Sequence, residues 1–333
     1  MNSSPVELAN WIPWKLSGTS CSWLYLDDKK ITDPFFDDTI SVCKNLSENQ
    51  APYKVMSGLD MMAEWAENIN AIIPSAIIFH VSRCGSTLLS QLLCLNDKNI
   101  VLSEVPFFDE IMRHYCNDNF DKDLLNKYLI AAIKFHGQKR NGKEKNLFIK
   151  TDSWHLHFYK QLRNIFPGAP FIFLYRNPGE VIHSHQKRRG MQSVPGLIEP
   201  EIFGFSKEQI KETNLDAYMT NVLESYFIKM IEIAKTDDNV LLCNYKEGMH
   251  KIMKKINKII DLDITEKTEK LLTERTGFHG KYPQQLFTED YKQASLYDFL
   301  MPVLKLYEQL DTIRMNKFST NQIHTLIIPP ANH

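Results

Sequence analysis

A short loop with one arginine, one glycine and two hydroxyl side chains follows an apolar run and precedes a helical pattern. The apolar run is Ala76–Val81 and the loop is Ser82–Thr87. A loop of this kind presents backbone N–H groups and the positive end of a helix to the space above it. That arrangement predicts an anion site, most often for phosphate. Arg83, Ser86 and Thr87 would add charge and hydroxyl donors to it.

The loop differs from the G-x-x-x-x-G-K-[ST] loop of ATPases, in which a lysine reaches the β- and γ-phosphates and a hydroxyl holds Mg²⁺. Gly85 is followed directly by Ser86, so that lysine is missing, and His80 stands where the first glycine would be. The cation is Arg83, two residues before the glycine. These residues predict a phosphate group that is bound without a metal ion.

A second segment has a similar order of residues. The apolar run Phe171–Tyr175 is followed by Arg176 and by the start of a helix. Asn177 suits the N-cap of that helix and Pro178 suits its first position. Ser184 comes eight residues after the arginine. The segment therefore reads as a buried strand, an arginine and a capped helix.

Together the two segments resemble the motifs of the sulfotransferase superfamily, whose members use 3′-phosphoadenosine-5′-phosphosulfate (PAPS) and need no metal. The second resembles the motif Arg-[Asp/Asn]-Pro-x-[Asp/Glu]-Val-x-x-Ser, whose arginine and serine hold the 3′-phosphate. The resemblance gives those roles to Arg176 and Ser184, and it implies a P-loop-like α/β/α fold. The first segment resembles the loop that holds the 5′-phosphosulfate, which here comprises Arg83, Cys84, Gly85, Ser86 and Thr87.

Three further segments resemble the superfamily more loosely. Tyr245 follows the apolar run 240–243 and corresponds to a tyrosine near the adenosine. Arg275 and Gly277 match the start of an Arg-x-Gly-x-x-Gly segment that closes over the 3′-phosphate, although a plain basic loop would look the same. Lys150 ends an apolar run that resembles the strand leading to the substrate side.

Sulfuryl transfer requires a base for the acceptor proton and positive charge for the transferring group. Arg83 would supply that charge. In the animal cytosolic branch the base is a histidine at the position that Asp152 occupies here. We expect Glu104 to be the base, because the apolar residues after it would raise its pKa towards neutrality; a solvated carboxylate at a strand end is the alternative. Asp152 and His155 are the next candidates.

Composition limits the partners of the protein. Its 333 residues carry a net charge of −1, which argues against binding to nucleic acid or to an anionic membrane surface. No run approaches the roughly twenty apolar residues of a membrane span, and no secretory signal is recognisable. Six cysteines without C-x-x-C spacing and histidine pairs without accompanying ligands predict no metal site. We expect a cytoplasmic enzyme with a small-molecule acceptor; the oligomeric state is not indicated.

Strand and helix signals alternate through most of the chain. Strands are expected near 76–81, 100–103, 147–150, 171–175 and 240–243, and helices near 55–68, 207–234 (one or two), 247–260 and 296–310. This alternation predicts a parallel α/β sheet with ligands at the carboxyl ends of its strands. We expect residues 1–70 to form an extension packed on the core, and residues 71–333 to form the α/β domain with a C-terminal helical cap.

Two other functions fit the same residues. One is an ATP-dependent small-molecule kinase with a degenerate P-loop, which would require Mg²⁺. The other is a noncatalytic protein of this fold that binds a nucleotide or a partner and has lost the base.

Overall fold

The computed structural model of the protein describes residues 8–116, 121–212, 214–276 and 298–327. The strands are β1 (Trp11–Ser17), β2 (Ser20–Tyr25), β3 (Met56–Gly58), β4 (Ala76–His80), β5 (Asn99–Ser103), β6 (Asn146–Lys150), β7 (Phe171–Tyr175) and β8 (Val240–Asn244). The helices are α1 (Phe36–Cys43), α2 (Leu59–Trp65), α3 (Ser86–Leu93), α4 (Pro106–Arg113), α5 (Lys122–His136), α6 (Tyr159–Ile165), α7 (Pro178–Lys187), α8 (Pro200–Phe203), α9 (Lys207–Ile210), α10 (Leu215–Thr236), α11 (Met249–Ile259), α12 (Glu266–Thr276) and α13 (Met301–Ile327).

Strands β4 to β8 form one parallel sheet in the order β5-β6-β4-β7-β8, flanked by helices. The predicted α/β class with a central parallel sheet is confirmed, and each strand lies within one residue of its expected bounds. The strands read as continuous apolar runs because both faces of the sheet are covered. Since β4 lies between β6 and β7, the loops that follow these three strands meet at one edge of the sheet.

The helices depart from expectation in two places. Residues 56–58 form strand β3 before α2 begins. The stretch 207–234 forms two helices, which is one of the two expected alternatives, because the Asn214 side chain accepts the amides of Asp216 and Ala217 and so starts α10 anew. The last helix runs to Ile327, well beyond the expected end at 310, and it packs along α10.

The N-terminal residues form a three-stranded antiparallel sheet in the order β1-β2-β3. Strand β1 packs against α4 and α5, and the Trp23 ring meets Trp65 and Phe135. The division of the chain near residue 70 stays a prediction. None of the helices in the described ranges combines the length and the hydropathy of a membrane span.

Candidate functional site

A cavity of about 530 Å³ lies at the carboxyl ends of the parallel strands, and each of the five strands is followed by residues that line it. The structure brings together nine of the predicted site residues there: Arg83, Gly85, Ser86, Thr87, Glu104, Asp152, Arg176, Ser184 and Tyr245. Loops at this edge of an open parallel sheet are the usual place for a ligand. The cavity is therefore the candidate active site.

The other four predicted residues are not among the described residues that line the cavity. Cys84 is buried beneath the loop, where its thiol donates to the Leu174 carbonyl and burial raises its pKa to about 11, so it is a neutral thiol. His155 is buried and is not among the described residues that line the cavity. Arg275 belongs to α12 and is not among the described residues that line the cavity. Gly277 lies outside the described residues.

The loop after β4 adopts the turn that its sequence indicates. Ser82, Arg83 and Gly85 have φ angles of 66°, 49° and 85°, and α3 begins directly after them. The turn is held by the Ser82 amide, which donates to Nδ1 of His80 at 3.0 Å. Ser86 and Thr87 line the cavity, and no described residue hydrogen-bonds to either hydroxyl. These two hydroxyls and the first amides of α3 therefore suit an anionic ligand.

The second arginine lies beside this loop. The Arg176 guanidinium stacks on the Tyr245 ring at 4.4 Å from its centroid, and its Nε donates to Glu180 at 2.5 Å. Gly85 allows the tyrosine to come close, because a Cβ there would lie 2.7 Å from the Tyr245 ring. Tyr245 thus lies between the two arginine-bearing loops, which share one cavity.

The two loops are also joined through the backbone. The Arg83 guanidinium donates to the Arg188 carbonyl at 2.5 Å, just after the end of α7. Helix α7 carries Ser184, which lines the cavity. The loop after β4 is therefore held against the helix that follows β7.

A carboxylate behind the site, which the sequence analysis missed, supports both Arg176 and Tyr245. Asp311 of α13 accepts hydrogen bonds from four side chains at 2.6 to 3.0 Å: Tyr175, Asn244, Lys246 and Arg314. Burial alone would raise the pKa of Asp311, but these donors hold it well below its usual range. Tyr175 precedes Arg176, and Asn244 and Lys246 flank Tyr245, so one carboxylate links residues next to both loops.

Glu104 is held by a buried lysine. Its backbone has a φ of 56°, and its Oε1 lies 2.5 Å from Nζ of the fully buried Lys150 and 3.4 Å from Nε2 of His80. The His80 Nδ1 accepts the Ser82 amide, so Nε2 carries the proton and donates to the Thr151 carbonyl at 3.0 Å. Burial would raise the pKa of Glu104, but the Lys150 ammonium and His80 outweigh burial and hold it well below its usual range. The expected rise in this pKa is therefore wrong, and the cause is a cation that the sequence did not place there.

We predict that Glu104→Gln lowers the free energy of unfolding by about 3–5 kcal/mol, because the Lys150 ammonium would remain buried without its counter-charge. Urea unfolding at pH 7 measures this. Glu64→Gln, on an exposed position of α2, is the control and should change stability by no more than about 0.5 kcal/mol. The double variant with Lys150→Met should recover much of the loss. A Glu104→Gln variant as stable as the control would contradict the ion pair.

Two aspartates near Glu104 have opposite electrostatic character. Asp109 accepts from Nε2 of His155 at 2.8 Å and from the Trp154 indole at 2.7 Å, and although burial opposes it, these contacts lower its pKa. The pKa of Asp152 is raised well above its usual range, first by burial and then by the negative charges of Glu104 and Asp109. Asp152 is thus the cavity carboxylate most inclined to hold a proton.

The ring of His155 is not available to a ligand in the cavity. Its Nδ1 accepts the Asp152 amide at 3.3 Å, and its Nε2 donates to Asp109. Asp109, Asp152 and His155 offer ligand atoms within 4.8 Å of one another, which is close enough to hold a metal ion. The absence of a metal site stays a prediction.

No protein-family model matches the chain, and no curated protein matches it. The chain is similar in structure to sulfotransferase STF9 from Mycobacterium avium, with 14% identity and a TM-score of 0.48 over 74% of this chain and 78% of that one. It is also similar to a sulfotransferase from Alicyclobacillus acidocaldarius, with 15% identity and a TM-score of 0.37 over 74% of this chain and 93% of that one. A third similar structure is the mouse sulfotransferase SULT7A1 complexed with PAP, with 14% identity and a TM-score of 0.38 over 79% of this chain and 92% of that one. All three of these proteins are sulfotransferases.

Proposed function

We propose that the protein is a PAPS-dependent sulfotransferase that transfers a sulfuryl group to a hydroxyl or amine of a small-molecule acceptor, in the cytoplasm. One observation carries this proposal: two arginine-bearing loops, each after its own strand, line a single cavity and meet across Tyr245. A nucleotide with a phosphate at each end of its ribose has two anionic groups to place, and the cavity offers two places for them. An ordinary nucleotide would leave one of them unused.

The loop residues fit the two anionic groups of PAPS. The Ser86 and Thr87 hydroxyls, to which no described residue hydrogen-bonds, suit the 5′-phosphosulfate together with Arg83. Arg176 and Ser184 suit the 3′-phosphate, and Arg275 and Gly277 remain candidates for closing over it. When bound, PAPS supplies an electrophilic sulfuryl group on a phosphate leaving group. Arg83 and the amides of α3 would stabilise the negative charge that develops there.

We propose Asp152 as the general base in place of Glu104. A general base is most effective when its pKa lies near the pH at which the enzyme works. A carboxylate whose pKa is held low by an ammonium accepts a proton poorly. The raised pKa of Asp152 suits this role, and Asp152 lines the cavity, with its Oδ2 3.9 Å from Nε2 of His155. Asp152 would take the proton from the O–H or N–H of the acceptor.

Calorimetry with adenosine 3′,5′-bisphosphate, 5′-AMP and ATP tests the proposal. We expect the bisphosphate to bind about 100-fold more tightly than 5′-AMP, a difference of about 2.7 kcal/mol, and to bind equally well with EDTA present. ATP binding that is tighter and depends on Mg²⁺ would favour a kinase instead. Turnover with PAPS over a panel of acceptors follows, and tight binding without any transfer would favour a noncatalytic nucleotide-binding protein.

A further inference from the structure

One histidine ring lies between two loops that have different tasks in the proposed reaction. His80 ends β4, and it lines the cavity although only 5% of its surface is exposed. The loop directly after it carries Arg83, and the loop after β6 carries Asp152. In the proposed function the first loop holds the sulfuryl donor and the second supplies the base. The relative position of the two loops therefore sets the distance between the base and the reacting group.

The Nδ1 atom of His80 supports the loop that carries Arg83. It accepts the amide of Ser82, two residues further along the chain, at 3.0 Å. Ser82 and Arg83 have φ angles of 66° and 49°, in a region that residues other than glycine rarely adopt. Each such residue costs about 1–3 kcal/mol and keeps its conformation only where the surrounding structure holds it. The hydrogen bond to His80 holds the first residue of this strained pair.

The Nε2 atom of His80 supports the loop that carries Asp152. The backbone pairing of β4 with β6 ends at Ile78 and Lys150, and just after it the Thr151 amide donates to the Ile78 carbonyl at 3.0 Å. The Thr151 carbonyl, which leads directly into Asp152, lies beyond this pairing. It accepts the Nε2–H of His80 at 3.0 Å. A side chain thus continues the connection between the two strands past the point at which the backbone pairing ends.

Both contacts require the same neutral tautomer of the ring. Nδ1 can accept the Ser82 amide only without a proton, and Nε2 can donate to the Thr151 carbonyl only with one. Burial lowers the pKa of His80, so the ring is neutral at pH 7. The lone pair of Nδ1 is engaged by the Ser82 amide, so the ring is not placed to take a proton from an acceptor.

We infer that His80 is a positioning residue that fixes the donor loop and the base loop relative to each other, with Nδ1 holding Ser82 and Nε2 holding Thr151. This inference rests on the proposed function, because the donor and the base are what the two loops are proposed to carry. The two nitrogens then have separable effects, Nδ1 on nucleotide binding and Nε2 on the rate of transfer.

Two amide substitutions each replace one of the nitrogens. His80→Asn keeps an acceptor for the Ser82 amide, as in an Asx turn, but its side chain is too short to reach the Thr151 carbonyl. His80→Gln keeps an N–H that reaches the Thr151 carbonyl but places no acceptor at the position of Nδ1. His80→Ala keeps neither contact. The control is His250→Asn, at a half-buried position of α11 that is not among the described residues lining the cavity.

Calorimetry with adenosine 3′,5′-bisphosphate tests the Nδ1 contact. We expect His80→Gln and His80→Ala to bind it about tenfold more weakly than the unchanged protein, a loss of about 1.4 kcal/mol that matches one hydrogen bond. His80→Asn should restore binding to within about threefold of the unchanged protein, and His250→Asn should not alter it.

Turnover with PAPS tests the Nε2 contact, with the acceptor of the panel that reacts fastest. We expect His80→Asn to lower kcat about 100-fold at an unchanged KM for PAPS, because a base displaced by about 1 Å costs a factor of that order. His80→Gln should instead raise this KM about tenfold and keep kcat within about threefold. Equal changes in the two variants, or no change in either, would mean that the ring only fills space and would overturn the inference.

Nitrogen-15 NMR of histidine-labelled protein without nucleotide provides a test that does not depend on the proposed function. We expect a proton on Nε2 of His80 and none on Nδ1 at pH 7, in a resonance that is identified by its loss in His80→Asn. A proton on Nδ1 would overturn the inference. If the bisphosphate does not bind, or if no acceptor of the panel is turned over, the proposed function fails, and the tautomer alone then decides whether His80 joins the two loops.

Discussion

Arg176→Ala is expected to weaken the binding of adenosine 3′,5′-bisphosphate about 100-fold and to change the binding of 5′-AMP by less than about threefold. The guanidinium is held on Tyr245 and against Glu180, so it is fixed before a ligand arrives. A charge-assisted hydrogen bond to a phosphate contributes about 1.5–3 kcal/mol, and a guanidinium can make two. Only the bisphosphate has the 3′-phosphate that would lose them. Calorimetry with both nucleotides measures the difference.

Ser184→Ala should act in the same direction with a smaller effect of about tenfold, because one neutral hydroxyl is removed. Ser225→Ala on α10 is the matched control, since its hydroxyl donates to the Val222 carbonyl within its own helix and does not line the cavity. Thermal unfolding of each variant shows that the fold is kept. Equal losses for the two nucleotides would mean that Arg176 does not contact a 3′-phosphate.

The sheet and the two arginine-bearing loops were predictable because their signals are local. A continuous apolar run of five residues indicates a strand covered on both faces, and the residues just after it must lie at the carboxyl edge of the sheet. Ala76–Val81 and Phe171–Tyr175 each carry this signal, with an arginine two residues after the first run and one residue after the second. The structure pairs β4 with β7, a neighbourhood that the alternation of strands and helices alone does not specify.

The electrostatics of the site were not predictable from local sequence. The wrong expectation for Glu104 came from counting its apolar neighbours in sequence, whereas its pKa is set by Lys150, which lies on the adjacent strand. The hydrogen bonds of Asp311 were not predictable either, because the residues that it joins are far apart in the chain. Such pKa values depend on charged partners that lie across a sheet or beneath a loop. The periodicity of the sequence does not indicate which residues become these partners.

Asp152 shows how an active site and a stable fold make opposite demands. The same burial and negative neighbours that raise its pKa also destabilise its ionised form in the folded protein. An unfolded aspartate has a pKa of about 3.9, so above that pH the folded protein binds more protons at this position than the unfolded chain does. Stability from this group therefore falls as pH rises from about 3.9 through the raised folded-state value.

Asp152→Asn is therefore expected to lower kcat about 1,000-fold and to stabilise the protein at pH 7. Loss of a general base costs about 10²–10⁴-fold in rate, and the amide cannot accept the proton. The amide does not ionise, so its advantage in free energy of unfolding should grow as pH rises from about 3.9 to the raised folded-state pKa of Asp152. Turnover with PAPS and urea unfolding at several pH values measure the two effects.

The pH profile of the unchanged protein gives an independent check on the same group. The acidic limb of kcat/KM should lie above the ordinary aspartate range, since activity requires the ionised carboxylate and its pKa is raised. Asp28→Asn, on an exposed turn, is the control and should alter neither rate nor profile. If Asp152→Asn kept full activity while Glu104→Gln abolished it without unfolding the protein, the base would be Glu104 and the assignment of Asp152 would fail.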